Sequence, residues 1–262
     1  MTPTTITERL AAAGCVFPED EAAILVKSAA TAEELEAMVA RRELGEPLEH
    51  VVGWTTFRGL RFAVEPGVFV PRPRSGLLVE EAAALVRCHA GTGRRVTVVD
   101  LCCGVGAIGG ALAAELGEVD LHAADIDARA VACARRNLGR WGATVHEGDL
   151  FAALPRRLRR RVAVLVASPP YVPSDEFRLL RPEARDHEPV VALDGGSDGT
   201  AVVARIARGA REWLAPGGGL AVEVSEHQLD PVEGLLDGLG YATRQVVSEE
   251  LGSAVVVGRL GR

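Results

Sequence analysis

Apolar residues follow two different spacings, and stretches with one spacing alternate with stretches of the other along most of this chain. From residue 96 onward, short runs of apolar and β-branched residues are separated by longer stretches whose apolar positions recur every three or four residues. The short runs are typical of buried strands, and the longer stretches are typical of amphipathic helices. Alternation of this kind predicts an α/β domain with a mostly parallel sheet and helices on both of its faces.

The elements predicted for this domain follow one another without an internal repeat. Strands are predicted at residues 96–101, 119–124, 143–146, 162–167, 220–224, 242–247 and 254–258. Helices are predicted near residues 107–116, 128–139, 199–213 and 228–238. A further amphipathic helix, over residues 77–89, leads into them. We therefore assign residues 77–262 to one α/β domain.

The first part of the chain has helical signals and few strand signals. Thr5 is placed to cap a first helix, Pro18 to begin a second, and Thr31 to open a capping box before a third. Residues 1–48 are therefore predicted to form a small helical domain. A bundle of this size rarely stands alone, so we expect it either to stabilise the main domain or to recognise a protein substrate.

Residues 49–76 have a different pattern, with strand-like residues punctuated by glycines. Val51 and Val52 precede Arg58-Gly59, and a Val68-Phe69-Val70 run follows it. This pattern predicts a hairpin connector between the helical domain and the α/β domain.

Composition limits the classes of function. The chain has 262 residues, 48% of them hydrophobic, and a formal net charge of −7, which suits a folded protein with a sizeable core. No apolar run approaches the roughly 20 residues that span a bilayer, and the N-terminus has no signal-peptide pattern, so we expect a cytoplasmic protein with no membrane contact. The acidic charge argues against direct nucleic-acid binding, and we expect the basic cluster at residues 156–161 to be a solvated face.

Cysteine usage points to a reduced protein without a metal site. The five cysteines form no C-x-x-C motif, and with the six scattered histidines they give no metal-ligand spacing.

A glycine-rich turn follows the first strand of the α/β domain. Gly104 and Gly106 allow the backbone to turn sharply and approach a ligand, while the helix that follows favours negative charge at its N-terminus. The next strand ends at Asp125, where a carboxylate is placed to accept both hydroxyls of a ribose. A tight strand-to-helix turn without a ligand is the alternative.

Two further acids bear on which cofactor this turn would hold. The segment from Gly104 to Gly109 also satisfies G-x-G-x-x-G, so a nicotinamide dehydrogenase is a rival interpretation. Asp100, just before the loop, would repel a pyrophosphate but suits a cofactor with a cationic amino-acid end, such as S-adenosylmethionine. Asp149 follows the third strand, where its carboxylate could accept a hydrogen bond from an adenine amino group. Either acid alone could cap a turn, whereas together they favour the methyl donor.

The apolar run at residues 162–167 ends in Ser168-Pro169-Pro170-Tyr171, where we expect the chemistry. The two prolines remove two backbone donors, so nothing in the turn itself can pair with the carbonyls of Ser168 and Pro169. A planar amino or amide group could donate to these carbonyls and lie on the ring of Tyr171, beside the Ser168 hydroxyl. A proline-stiffened loop that closes an α/β unit is the alternative.

With these residues in place, the chain resembles the class I S-adenosylmethionine-dependent methyltransferases. More narrowly, it resembles the HemK/PrmC family, which methylates the side-chain amide nitrogen of the glutamine in the Gly-Gly-Gln motif of peptide-chain release factors. The resemblance also covers Gly45-Glu46-Pro47-Leu48, Val70-Pro71-Arg72-Pro73 and residues 185–196.

The chain departs from the family pattern at four positions. Ser168 stands where the family's catalytic turn begins with asparagine, and Cys102 stands where a first glycine is usual. Arg74 and Ser75 replace an acid and a threonine.

The resemblance implies a Rossmann-like class I methyltransferase sheet with a small N-terminal helical domain and a hairpin connector. It also implies an S-adenosylmethionine cofactor, N-methyltransferase activity on a side-chain amide, and a release factor as the protein substrate. The catalytic residues that it implies are Ser168, Pro169, Pro170 and Tyr171. The cofactor-binding residues are Asp100, Cys102, Cys103, Gly104, Val105, Gly106, Asp125, Asp149, Leu150 and Ser168. Serine at position 168 leaves open a small-molecule, different protein or cytosine N4 acceptor, or a cofactor-binding protein without activity.

Overall fold

The structure, a computed structural model, describes residues 3–89 and 95–261. Its α-helices in chain order are α1 (Pro3–Ala12), α2 (Pro18–Ser28), α3 (Ala32–Glu43), α4 (Leu48–Val52), α5 (Gly76–His89), α6 (Ala107–Leu116), α7 (Ala128–Leu138), α8 (Pro182–His187), α9 (Ala201–Trp213) and α10 (Leu229–Gly238). Its strands are β1 (Trp54–Phe57), β2 (Leu60–Ala63), β3 (Val96–Leu101), β4 (Val119–Asp125), β5 (Thr144–Glu147), β6 (Val162–Ala167), β7 (Leu214–Val224), β8 (Tyr241–Ser248) and β9 (Ser253–Leu260).

A seven-stranded sheet organises the chain after the connector. Its strand order is β5-β4-β3-β6-β7-β9-β8. The first five strands are parallel, and β9 runs antiparallel to both β7 and β8. The predicted α/β class and mostly parallel sheet are confirmed. Strands β3 and β6 have the predicted bounds, while β7 begins at Leu214 instead of residue 220.

Two hydrophobic cores cover the two faces of this sheet. Along β6, Val164 and Val166 belong to the core that contains α5 and α6, whereas Leu165 and Ala167 belong to the core that contains α9 and α10. This division follows from the strand geometry, because successive side chains point to opposite faces. Since the carboxyl ends of parallel strands share one edge, the loops after β3, β4, β5 and β6 meet there.

The N-terminal helices form a third hydrophobic core that includes Ile6, Leu10, Leu25 and Val39. The Thr31 hydroxyl accepts a hydrogen bond from the Glu34 N–H at 3.1 Å, so the predicted cap of α3 is confirmed. The Glu34 carboxylate reaches back to the Ala30 N–H at 2.6 Å.

The predicted cap at Thr5 is wrong. Helix α1 already includes Pro3 and Thr4, so Thr5 lies inside the helix.

The connector is a hairpin only in part. Strands β1 and β2 pair antiparallel around Arg58 and Gly59, whose φ angles of 48° and 74° suit a two-residue hairpin turn. The strand-like interpretation of the flanking valines is wrong, because Val51 and Val52 belong to α4 and residues 64–72 form no strand.

Side chains take the place of a partner strand in this loop. The Val68 carbonyl oxygen lies 2.8 Å from the His50 ring nitrogen, and the Val70 N–H donates to Glu188 at 3.1 Å. Val68 and Val70 are themselves buried. The apolar pattern of the loop therefore reflects burial without strand pairing.

Within residues 3–89 and 95–261, no helix is long and apolar enough to cross a membrane.

Candidate active site

A cavity of about 870 Å³ lies at the carboxyl edge of the sheet. The N-terminal helices, the loop after β2 and the turns that follow β3, β4, β5 and β6 all contribute to its walls. It brings together most of the residues predicted from the sequence. These are Cys102, Cys103, Gly104, Val105, Asp125, Asp149, Leu150, Ser168, Pro169, Pro170 and Tyr171.

The glycine turn after β3 has three residues with positive φ. Cys102, Gly104 and Gly106 have φ angles of 55°, 54° and 82°, a region that residues with a side chain rarely adopt. The conformation of Cys102 thus explains why glycine is usual at that position in the family. A Cβ atom at Gly104 would meet no protein atom within 4 Å, whereas one at Gly106 would lie 2.8 Å from Leu138. Glycine at 106 permits helix packing, and Gly106 does not line the cavity.

Asp125, at the end of β4, holds the glycine turn and lines the cavity. Its carboxylate accepts hydrogen bonds from the Gly104 N–H at 2.8 Å and from the Asp127 N–H at 2.9 Å. Each oxygen keeps a second lone pair, so the carboxylate can still accept two hydroxyl groups of a ribose. Burial raises the pKa of Asp125 above its usual range.

Asp100 is not among the residues that line the cavity, and the expected direct contact with a cationic cofactor end stays a prediction. Its side chain is fully buried, and one carboxylate oxygen accepts the Gly109 N–H of α6 at 2.9 Å. The other oxygen has no hydrogen-bond partner in the part of the chain that the structure describes. Burial raises the pKa of Asp100 to about 7. The carboxylate therefore supports the glycine turn from behind, through the first turn of α6.

Asp149 and Leu150 lie on the wall between β5 and α9. The Asp149 carboxylate is 2.5 Å from the Arg205 guanidinium, and both side chains line the cavity. Leu150 has a φ of 48° and is half-buried. Arg205 was not predicted, because no local pattern connects α9 to the loop after β5.

The Ser168-Pro169-Pro170-Tyr171 turn lies at the end of the fully buried strand β6. Among the described residues, none donates a hydrogen bond to the Ser168 or Pro169 carbonyl oxygen, as the two prolines predicted. The Ser168 side chain lines the cavity beside Tyr171.

Two other segments hold this turn in place. The Gln228 side chain donates to the Tyr171 carbonyl oxygen at 2.9 Å and to the Asp198 carbonyl oxygen at 3.1 Å. A Cβ atom at Gly195 would lie 2.8 Å from the Pro170 carbonyl oxygen, so glycine is needed where residues 193–196 pass under the turn. The sequence did not indicate Gln228.

Arg74 connects the connector to the same turn. Its guanidinium donates to the Tyr171 hydroxyl and lies 5.9 Å from the centre of the Tyr171 ring. It is also 3.6 Å from the carboxylate of Glu223, a buried residue on β7. Burial raises the pKa of Tyr171 above its usual value, so the hydroxyl stays protonated at neutral pH. Arg74 therefore holds the Tyr171 ring in place at the wall of the cavity.

An ion pair between the half-buried Arg72 and the buried Glu188 joins two segments that the family resemblance covered separately. Both carboxylate oxygens of Glu188 are 2.7 Å from one guanidinium nitrogen of Arg72. Burial raises the pKa of Glu188 above its usual range. The pair ties the connector to the segment after the catalytic turn, and it gives a physical reason for the presence of both motifs.

Comparisons with known proteins agree with this geometry. Residues 59–179 match the family model described as Methyltransferase small domain. The release factor glutamine methyltransferase of Streptomyces coelicolor is 40% identical over 191 residues, which cover 73% of this chain and 67% of the relative. That of Geobacter sulfurreducens is 38% identical over 235 residues, which cover 87% of this chain and 80% of the relative. This chain belongs to the release factor glutamine methyltransferase family.

One relative within this similarity has a different acceptor in its name. The 4-amino-L-phenylalanine/4-methylamino-L-phenylalanine methyltransferase of Streptomyces pristinaespiralis is 36% identical over 203 residues, which cover 77% of this chain and 69% of that protein. The fold is also found in a solved methyltransferase from Pyrococcus furiosus, with a TM-score of 0.56 and 17% identity over 78% of this chain and 91% of that one.

The protein is an S-adenosylmethionine-dependent N-methyltransferase, and its cavity fits that cofactor. Glycine at position 104 leaves open space directly against the backbone. The carboxylates of Asp125 and Asp149 both line the cavity and can accept hydrogen bonds from hydroxyl or amino groups. When bound there, S-adenosylmethionine supplies the methyl group. No cluster of three metal-ligating side chains occurs among the residues that the structure describes.

Proposed function

We propose that this enzyme methylates the side-chain amide nitrogen of a glutamine in a peptide-chain release factor. The names of its relatives from Streptomyces coelicolor and Geobacter sulfurreducens support this acceptor. Release factors act in translation, so we also propose that the enzyme works in the cytoplasm.

The observation that carries the proposal is an exposed apolar rim around the cavity. Phe17 and Val191 line the cavity, yet their side chains are 66% and 48% exposed. Leu179 and Val190, next to other lining residues, are 73% and 57% exposed. Large exposed apolar side chains at the mouth of a cavity favour a protein partner, whereas a site for a small molecule buries most of its ligand in an enclosed pocket. The rim therefore favours a protein acceptor.

We further propose that the helical domain of residues 1–48 recognises that protein. Phe17 and Ile24 bring apolar surface from α2 and its N-terminal flank to the cavity, and Arg42 of α3 bridges to the segment after the catalytic turn through Glu183 at 2.6 Å. These contacts with the cavity support a role for the helical domain in binding the acceptor. Its removal should raise KM for the protein substrate.

Methyl transfer to nitrogen is an in-line displacement, so the site mainly has to align the reacting atoms. An amide nitrogen is a poor nucleophile because its lone pair is delocalised. Its N–H groups can donate to the Pro169 carbonyl oxygen and to the Ser168 hydroxyl, which orients the nitrogen towards the methyl group. The same oxygens stabilise positive charge as it develops on the nitrogen, which forms the new N–C bond as the S–C bond of the methyl donor breaks and then loses one N–H proton to solvent. Tyr171 offers a ring face for the planar amide.

A free amino acid with an aromatic amine is the second candidate acceptor, because the name of the relative from Streptomyces pristinaespiralis gives such a compound as its substrate. Two residues favour it. Ser168 is shorter than the family's asparagine, and Arg74 brings to the cavity wall a cation that could pair with a substrate carboxylate.

The test is to incubate the enzyme with radiolabelled S-adenosylmethionine and, separately, a purified release factor or 4-aminophenylalanine, and then to map the label by mass spectrometry. We expect label on the release factor glutamine. Ser168→Asn restores the usual family residue and should preserve or raise this activity. Label on the amino acid alone, together with an inactive Asn variant that still binds cofactor, would establish the second candidate instead.

A further inference from the structure

The edge of the sheet opposite the cavity carries a cluster of arginines. The segment at residues 156–161 leads into the amino end of β6, and the C-terminal half of α9 adds Arg208 and Arg211. Arg159, Arg160, Arg208 and Arg211 line one open depression, together with Glu212. We call the arginines at residues 156–161 and at 208 and 211 the arginine patch.

The positive charge of this patch is almost uncompensated. All of its arginines are exposed. Within residues 3–89 and 95–261, Arg159 is the patch member that has a carboxylate partner, Glu212 at 3.1 Å. Most of the acidic surplus of a chain with a net charge of −7 therefore lies elsewhere. The sequence predicted a solvated face from residues 156–161 alone. In the fold, Arg208 and Arg211 of α9 add two further positive charges to this face.

The chemistry of the patch suits phosphate groups better than a protein surface. A guanidinium donates two parallel hydrogen bonds to a phosphate. Protein interfaces depend on apolar anchors, but the large apolar side chains here, Leu158 and Trp213, are buried at 4% and 3% exposure. The Arg159 guanidinium lies 5.4 Å from the Trp213 ring centre, which keeps it over that buried ring. The partner that fits is a chain of phosphates.

The shape of the edge distinguishes between nucleic acids. Reading duplex DNA in its major groove requires a helix or ribbon that projects from the protein. The patch instead consists of a short turn and the end of α9, around an open depression. A flexible single strand needs no such projecting element, because its phosphates can follow an open, positively charged groove. We propose that the arginine patch binds the phosphate backbone of RNA.

This site does not interfere with methyl transfer. The patch lies at the amino ends of the parallel strands β6 and β7, and the cavity lies at their carboxyl ends. RNA bound at the patch would leave the cavity open to its acceptor, so the proposal stands independently of which acceptor is methylated.

The test is fluorescence anisotropy with a labelled single-stranded RNA of about 20 nucleotides, over potassium chloride concentrations from about 50 to 200 mM. If four arginines each contact one phosphate, the affinity should fall roughly sevenfold for each doubling of salt. The double variant Arg208→Glu/Arg211→Glu should bind at least tenfold more weakly. The control Lys27→Glu/Arg178→Glu has the same net charge, changes two exposed cations outside the patch, and should bind like the wild type.

Calorimetry with S-adenosylmethionine checks that each variant is folded, because the patch is remote from the cofactor. Equal loss of RNA binding in both double variants would refute the patch, since it would show a general charge effect. The assignment to RNA would also be overturned if a DNA duplex bound equally well or more tightly. It would likewise be overturned if polyglutamate competed as effectively as unlabelled RNA.

Discussion

Replacement of Asp125 by alanine tests the cofactor site most directly. The Asp125 carboxylate lines the cavity and accepts two backbone N–H groups, of Gly104 and of Asp127. Alanine would remove the acceptor for the ribose hydroxyls and would also release the glycine turn from the end of β4.

The magnitude follows from these contacts. Loss of a charge-assisted pair of hydrogen bonds to the ribose should weaken S-adenosylmethionine binding by roughly 1 to 3 kcal/mol, or about 5-fold to 150-fold in Kd. The Gly104 N–H also loses its partner, which should lower the free energy of unfolding by about 1 to 2 kcal/mol. Asp125→Asn should give a smaller effect on binding, because the amide keeps one acceptor oxygen but turns an NH₂ group towards a backbone donor.

Isothermal titration calorimetry measures the affinity, and urea unfolding measures the stability. The control is Asp198→Ala, which removes a carboxylate that accepts the Thr200 N–H at 2.9 Å and does not line the cavity. It should lower stability modestly without changing Kd. An Asp125→Ala protein that is folded and binds S-adenosylmethionine with unchanged affinity would refute our reasoning, since Asp125 would then serve only to cap a turn.

Three further predictions concern other parts of the molecule. Ser168→Ala should lower kcat roughly tenfold to a thousandfold with little change in cofactor affinity, as for one lost transition-state contact, and steady-state kinetics with calorimetry would show this. Cys102→Gly should keep the free energy of unfolding within about 1 kcal/mol of wild type, because glycine adopts the positive φ without strain and this gain offsets the lost side-chain contacts. Cys102→Val should lower the free energy of unfolding by about 2 kcal/mol or more, because a β-branched residue is strained at positive φ. Urea unfolding measures both changes. Burial holds the pKa values of His122 and His146 below their ordinary value, so the unfolded chain takes up these protons first, and the contribution of this histidine pair to stability should fall as the pH drops below about 6.5. The free energy of unfolding of His122→Asn/His146→Asn should therefore rise relative to that of the wild type as the pH is lowered through about 6.5, as measured by urea unfolding at a series of pH values, and a difference that does not change with pH would contradict this origin.

Local pattern determined much of the fold. The run at residues 162–167 was predicted as a buried strand because its apolar residues have no polar face, and β6 has those bounds. The turns that follow β3, β4 and β6 were also found from the chain alone, since strand ends, glycines and prolines act over a few residues. With parallel strands, these turns must meet at one edge. Most of the candidate site could therefore be named in advance.

Contacts between distant segments were decided only by the tertiary structure. Val68 and Val70 have a strand-like pattern, yet they lie in a loop because His50 and Glu188 provide the hydrogen bonds that a partner strand would supply.

The orientation of a side chain likewise depended on packing. Asp100 was correctly placed next to the glycine turn, but its carboxylate accepts the Gly109 N–H of α6, and Asp100 does not line the cavity. Arg208 and Arg211 meet the basic segment because α9 ends beside the start of β6. A hydrophobic pattern predicts which residues are buried, because each buried position by itself favours an apolar side chain. It does not report which distant residue will be the neighbour, because that depends on how all the elements pack together.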